Sequence, residues 1–305
     1  MIPHKRERVL SRIFICRAAP LLASLVFLLP CPATAYDRLN LPQSNEKIVL
    51  EGPAREALET ALAAAPGGTP SFALASEPAA QLIGSLPEDF RDSCSDVVGT
   101  LGEGARETAR WTVRVLFSSA TAGGTEAVLA LRCGSAAPNV EAYYDERPAI
   151  VALGPQSATL ALIPLAKDCI NCSDLYHLEF SQTFTAVGAR LLELRVSYAN
   201  ESPCCDGGDQ QSGEQRLILR LPEGEQVLTV DQGTASYSHD DEDGDSDLVC
   251  EAKIDYSRVP AGNVESIRSE TRCTVNKEPI PDVKTRSFRW NAAARRFDEL
   301  KTSPR

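Results

Sequence analysis

The sequence predicts an all-β protein, an antiparallel up-and-down meander of about 10–12 strands folded as a curved sheet, a barrel or a sandwich, with a short N-terminal helical segment before it. Two observations carry the fold class. Apolar stretches at 111–117, 127–131, 149–153 and 159–165 alternate with turn-forming clusters. Chain breakers recur near Gly123, Asn139, Gly154-Pro155, Asn171, Gly188, Asp206-Gly207, Gly224, Asp243-Gly244, Gly262, Pro279 and Ala293, roughly every 14 to 19 residues, which is one strand and one turn repeated. Each antiparallel strand reverses direction, so alternate breakers share one end of the sheet. Tight turns near 123, 155, 188, 224, 262 and 293 collect at one end. Longer, more polar connections near 139, 171, 206, 243 and 279 collect at the other, flanked by most of the cysteines.

The chain has 305 residues, 43% hydrophobic and 24% charged, with 20 Pro and 19 Gly, which excludes a disordered or collagen-like chain. Residues 1–35 carry Lys5, Arg6, Arg8, Arg12 and Arg17 against Glu7, a net +4, so a total of −11 leaves −15 for the rest. That balance excludes a nucleic-acid partner, because phosphate recognition rests on basic contacts.

A basic region ending at Arg17, an apolar run at 18–29 and the small residues Ala33-Thr34-Ala35 read as a secretory signal peptide over 1–35, with Tyr36 as the mature N-terminus. Pro20, Pro30 and Pro32 bracket an apolar run too short to span a bilayer, and Pro30 opposes lipidation of Cys31. The expected mature product is a secreted or periplasmic monomer with no transmembrane segment. Residues 36–108 form its N-terminal helical or irregular segment, and 109–305 its β domain. Within the first, Ala54, Leu58, Ala61, Leu62 and Ala65 share one face of a helix over 53–65, stopped by Gly67-Gly68. Residues 69–108 show no single periodicity.

Eight cysteines remain after Cys16 and Cys31 leave with the signal, an even number suited to disulfides. Positions equidistant from a hairpin turn face each other. About Ala261-Gly262 this rule sets Cys250 against Cys273, Glu251 against Arg272, Lys253 against Glu270 and Asp255 against Arg268. The last three are opposite-charge pairs on one face, each worth about 0.2–1 kcal/mol. Ala252, Ile254 and Tyr256 meet Thr271, Ser269 and Ile267 on the cysteine side, the expected buried face. About Val187 the rule pairs Tyr176 with Tyr198, Leu178 with Val196, Glu179 with Arg195, Phe180 with Leu194 and Cys169 with Cys205, and Cys172 with Cys204 follows one step off. Cys94 is left for Cys133. About Glu223-Gly224, Leu217 is expected opposite Val230 and Leu219 opposite Leu228.

Several motifs bear on chemistry. Cys169-Ile-Asn-Cys172 has the spacing of a thiol oxidoreductase, but a strand pattern follows it where a catalytic thiol needs a helix N-terminus. Zinc ligation by Cys169, Cys172, His177 and Cys204 or Cys205 competes with disulfide formation in an oxidising compartment. Asp241, Asp243, Asp245 and Asp247 around Gly244 supply hard oxygen ligands at alternate positions, the pattern a calcium ion requires, so Ca2+ is the expected ion if one binds. Asp241, Asp243, Gly244, Asp247 and Leu248 resemble the aspartate-rich loops of FG-GAP repeats. His239 stands where those loops have their first aspartate, and no second copy follows, so the resemblance implies a lone loop and no propeller.

Asn171 and Asn200 open N-glycosylation acceptor patterns, and Tyr143-Tyr144 offers an aromatic pair beside Asp145. The mature chain has two histidines, His177 and His239, neither in a nucleophile motif. Two functions follow. The first is a non-catalytic envelope module that binds a protein or cell-envelope ligand at the long-loop end. The second is a hydrolase whose carboxylates, from the acidic loop or from Asp145 and Glu146, converge in a concave pocket.

Overall fold

Residues 127–131 are buried at all five positions, on both faces of an extended chain, so they lie inside a layered structure and not on a half-solvated sheet. A computed structural model of the chain describes residues 47–63, 72–99, 109–135, 144–165, 173–201, 210–238 and 246–300. In chain order the elements are β1 (Lys47–Val49), α1 (Gly52–Ala63), β2 (Phe72–Ala73), α2 (Ser76–Gly84), α3 (Glu88–Gly99), β3 (Ala109–Thr121), β4 (Gly124–Ser135), β5 (Tyr144–Leu153), β6 (Ala158–Leu162), β7 (Ser173–Ala186), β8 (Ala189–Glu201), β9 (Gln210–Leu221), β10 (Glu225–Ser238), β11 (Ser246–Arg258), β12 (Val264–Val275), β13 (Glu278–Pro279), β14 (Lys284–Asn291) and β15 (Arg296–Glu299).

The strands form two antiparallel sheets. One has six strands in the order β1-β6-β5-β4-β3-β2. The other is a nine-stranded meander, β15-β14-β12-β11-β10-β9-β8-β7 with β13 beside β12, and it is not closed into a barrel. The break falls after β6, which pairs with β1 instead of passing on to β7. The helix expected over 53–65 is α1, buried through Ala54, Leu58 and Leu62.

The region without a clear period holds two short helices separated by Leu86-Pro87. Ala79, Leu82 and Ile83 face inward on α2, as do Phe90, Ser93 and Cys94 on α3. Together the helices cover one face of the six-stranded sheet, packing on Leu129, Leu131, Ala149 and Val151. The N-terminal residues therefore share a core with the β domain.

The opposite face of that sheet presents Leu116, Val128, Ala130 and Ile150 to Leu178, Leu192, Leu194 and Leu217 of the meander. Leu116 reaches this face by alternation from Arg114, and the bulge between Val115 and Phe117 turns Phe117 toward it as well. At the tight-turn end, Gly224 has φ +75, and a Cβ there would stand 2.8 Å from Ile163 Cδ1. Only glycine lets the β9–β10 turn sit against the first sheet.

The meander curls so that its remaining apolar face, with Leu191, Ile218, Val264, Ile267, Phe288 and Trp290, fills a third core. Trp290 Nε1 donates to the carbonyl of Val187 at 3.1 Å across this curl. Glu193, 2% exposed, is the polar centre of the inner face. It accepts from Ser181 Oγ at 3.0 Å, Gln182 Nε2 at 2.9 Å and Tyr256 Oη at 2.5 Å, and it pairs with Arg216 at 3.2 Å. Burial first, and then the bond to Glu193, hold the Tyr256 phenol protonated far above its usual range.

The β11–β12 ladder sets Cys250 opposite Cys273, Glu251 opposite Arg272, Lys253 opposite Glu270 and Asp255 opposite Arg268. The ion pairs, however, run along the strands: Lys253 reaches Asp255 at 3.3 Å, and Arg272 reaches Glu270 at 2.7 Å. Long side chains on one face span two residues as readily as they span the ladder. The Arg272 guanidinium, by its hydrogen bond and then its charge, lowers the Glu270 carboxyl below the usual range.

The pairing expected about Glu223-Gly224 is corrected. Leu217 faces Thr229 and Leu228 faces Ile218, because the turn is centred one residue early, with Arg220 opposite Glu225, and the irregularity at Val227 makes up only half of that offset. Cys250 and Cys273 are joined as a cross-strand disulfide, Cα–Cα 4.0 Å. Replacing both with alanine is expected to lower stability to urea by about 3 kcal/mol, the loop-entropy value for such a crosslink. Unfolding curves that superimpose with those of the unmodified protein would contradict this role.

Candidate functional site

β5 is longer than its neighbour: β6 pairs only with Ala149–Leu153, and among the described residues the first half of β5 is left without a strand on that side. β7, the terminal strand of the meander, comes against this bare half. Asp145 and Glu146 are both 0% exposed. Asp145 Oδ1 accepts the backbone N–H of Tyr176 at 3.2 Å, and Glu146 Oε2 accepts that of Leu178 at 2.7 Å.

Arg114 of β3 closes the arrangement, donating through Nη2 to both Glu146 oxygens at 3.0 and 2.9 Å and to the carbonyl of Leu178 at 2.6 Å. Arg147 pairs with Asp145 at 2.9 Å and lies over the Tyr176 ring at 4.5 Å. His177 Nδ1 stands 3.1 Å from Glu146 Oε2. Two carboxylates thus occupy backbone donors on a sheet edge and carry their own arginines. Both carboxylates are closed to water.

An open groove lies beside β3. Its volume is about 570 Å³, and its lining includes Leu74, Ala79 and Ile83 as an apolar floor with Arg91, Arg110 and Trp111 at the rim. Three attachments build it. The Cys94–Cys133 disulfide ties α3 to β4, Phe90 stacks on Trp111 with centroids 5.0 Å apart, and Trp111 Nε1 donates to the carbonyl of Arg91 at 2.9 Å.

Among the described residues, no carboxylate or carbonyl meets the guanidinium of Arg91 or Arg110, and Arg91 Nε is buried without an acceptor. Every other described arginine side chain has a partner. A second groove, about 610 Å³, lies on the exposed face of β11 and β12. It is larger, but its Lys253, Glu270 and Arg272 are already neutralised by neighbours. Uncompensated charge and not size marks the first groove.

Other residues singled out in the sequence are placed as follows. Cys169, Cys172, Cys204 and Cys205, Asp241, Asp243 and Asp245, and Tyr143, Asn171 and His239 lie outside the described residues. Asp247 is on β11 opposite Tyr237, Asn200 is on β8 opposite Asp174, and Tyr144 opens β5. The described residues hold no group of three or more side chains suited to a metal ion, and none of their helices is long and apolar enough to cross a membrane.

Sequence reasoning passed over Arg91 and Arg110. Their signal was two basic side chains in an acidic chain, and only the structure reveals that neither has a partner among the described residues. No family model, curated protein or solved structure matches the chain.

The buried pair gives a stability prediction. Replacing Glu146 with alanine strands the Arg114 guanidinium and the Leu178 N–H, and is expected to cost about 3–5 kcal/mol. Glu146→Gln keeps one neutral acceptor and should lose less. Chemical denaturation reads both variants, and an alanine variant as stable as the parent would refute the assignment.

Proposed function

We propose that the chain is a non-catalytic binding module of the secreted or periplasmic space, and that its ligand joins an anionic group to an apolar body in the groove beside β3. The carrying observation is that Arg91 and Arg110, over an apolar floor, meet no counter-charge among the described residues in a chain of net charge −11. A guanidinium without a counter-charge beside apolar surface favours a carboxylate or similar anion, while the floor favours hydrocarbon. Two disulfides among the described residues are compatible with an oxidising compartment.

The groove also sits where the long connections were expected. Trp111 faces Cys133, and Cys133 faces Asp145, at the ladder end from which residues 136–143 depart. β7 begins beside the same end, since its Tyr176 meets Asp145. The long connections of both sheets therefore leave from one rim.

Octanoate, a carboxylate on a plain hydrocarbon, tests the groove. The chain has two tryptophans, so indole NMR signals separate Trp111 at the rim from Trp290 inside the meander. Octanoate is expected to shift the Trp111 signal saturably, octanol at the same concentration to do so far less, and the Arg91→Ala and Arg110→Ala changes each to weaken the response about tenfold. Equal responses to octanoate and octanol, or none at Trp111, would remove this reading.

A further inference from the structure

Resting on that reading of the groove, we infer that its occupant is an extended acidic segment of a partner protein, which adds to the bare edge of β3 as a strand. Among the described residues the edge is bare for a definite reason. β2 covers β3 only at Arg114 and Val115, and the N–H of Leu74 then reaches the carbonyl of Val113 at 2.8 Å. Beyond that bond the chain turns away into α2, starting at Ser76.

Among the described residues, nothing pairs with Ala109–Thr112 on the side away from β4. Val113 directs its carbonyl to that side, so Trp111, two residues earlier in the same strand, presents its backbone N–H and C=O there as well. Arg110, Trp111 and Thr112 line the groove as three consecutive residues. Side chains alternate across a strand, so a cavity bordered by three in a row runs along the strand's edge and not along one of its faces.

An unpaired edge with its polar groups turned into a groove is the geometry that captures an extended peptide through main-chain hydrogen bonds, with side-chain pockets on either side giving selectivity. Those side contacts are of two kinds here. Leu74, Ala79 and Ile83 offer apolar surface, while Arg91 and Arg110 offer positive charge with no counter-ion among the described residues. Alternation along a β-strand then specifies the partner: acidic side chains toward the arginines, apolar ones toward the α2 floor. A fatty acid would satisfy the charge and the floor and leave the backbone groups of Trp111 unused.

The test uses the full chain and three short peptides blocked at both ends: one alternating valine and glutamate, one of the same sequence with alternate amide nitrogens methylated, and one with lysine in place of glutamate. The valine–glutamate peptide is expected to bind saturably and to slow hydrogen exchange at the Trp111 amide about tenfold or more. The methylated peptide, with the same side chains but no edge donors, should bind about tenfold more weakly and leave that amide unprotected. The lysine peptide should not bind, and Arg110→Glu should abolish binding of the valine–glutamate peptide while thermal unfolding shows the variant folded.

Octanoate serves as the control that separates two failures. If octanoate binds at Trp111 and the methylated peptide binds as well as its parent, strand addition is overturned and the anionic groove stands. If octanoate binds and no peptide does, the ligand is a small amphiphile and strand addition is again overturned. If neither octanoate nor any peptide binds, the groove reading itself fails.

Discussion

Everything in this fold depends on how the nine-stranded meander is joined to the six-stranded sheet without a shared hydrogen-bond ladder. An end strand such as β7 carries a row of unpaired backbone groups, which invites pairing with another chain. Here Asp145 and Glu146 accept two of its N–H groups, and Arg114 donates to one of its carbonyls. Burying two carboxylates costs several kcal/mol each in lost hydration, an expense offset only where charges are paired and the remaining lone pairs are occupied. Arg114 and the Leu178 amide supply them for Glu146, while Asp145 takes the Tyr176 amide on Oδ1 and is paired in charge with Arg147. The acidic pair thus does what a neighbouring strand would do, at the place where β6 has ended.

Fixing β7 against the start of β5 has consequences along both sheets. It brings Leu178, Leu192 and Leu194 over Leu116 and Ile150 as a common core, and it aligns the ends from which the long connections depart. The groove beside β3 opens at that same rim, with α3 held by its disulfide and by the stacking of Phe90 on Trp111. The groove and the sheet junction are in this sense neighbours on one ladder, linked residue to residue through Trp111, Cys133 and Asp145.

Much of the fold was legible in the sequence because antiparallel pairing is arithmetic. The hairpins about Val187 and Ala261-Gly262 have the expected partners, the first for a reason the sequence concealed. Its turn is centred half a residue late, and a bulge between Phe180 and Gln182 restores the expected pairs beyond it. The β9–β10 turn is centred a full residue early, and the insertion at Val227 restores only half of that offset, so Leu217 meets Thr229 and not Val230. Bulges arise from packing across the sheet, as when Ser181, the extra residue, turns its hydroxyl to Glu193; nothing local announces them.

The break into two sheets was hidden because β1, the partner of β6, is a three-residue strand more than a hundred positions earlier. The charged residues were harder to read. Asp145 and Glu146 looked available because a carboxylate in a strand pattern is ordinarily solvated, and their burial is decided by a strand thirty residues on. Arg91 and Arg110 stand out only once every other described arginine has been matched to a partner.

Amide hydrogen exchange on β7 tests the junction most directly. Tyr176 and Leu178 lie on the outer edge of the last strand, where exposed amides exchange freely. The junction predicts that both are as protected as the interior amides of β8, and that protection at Leu178 falls far more in Glu146→Ala, which has no acceptor, than in Glu146→Gln, which keeps one. Rapid exchange at both positions in the unaltered chain would contradict it.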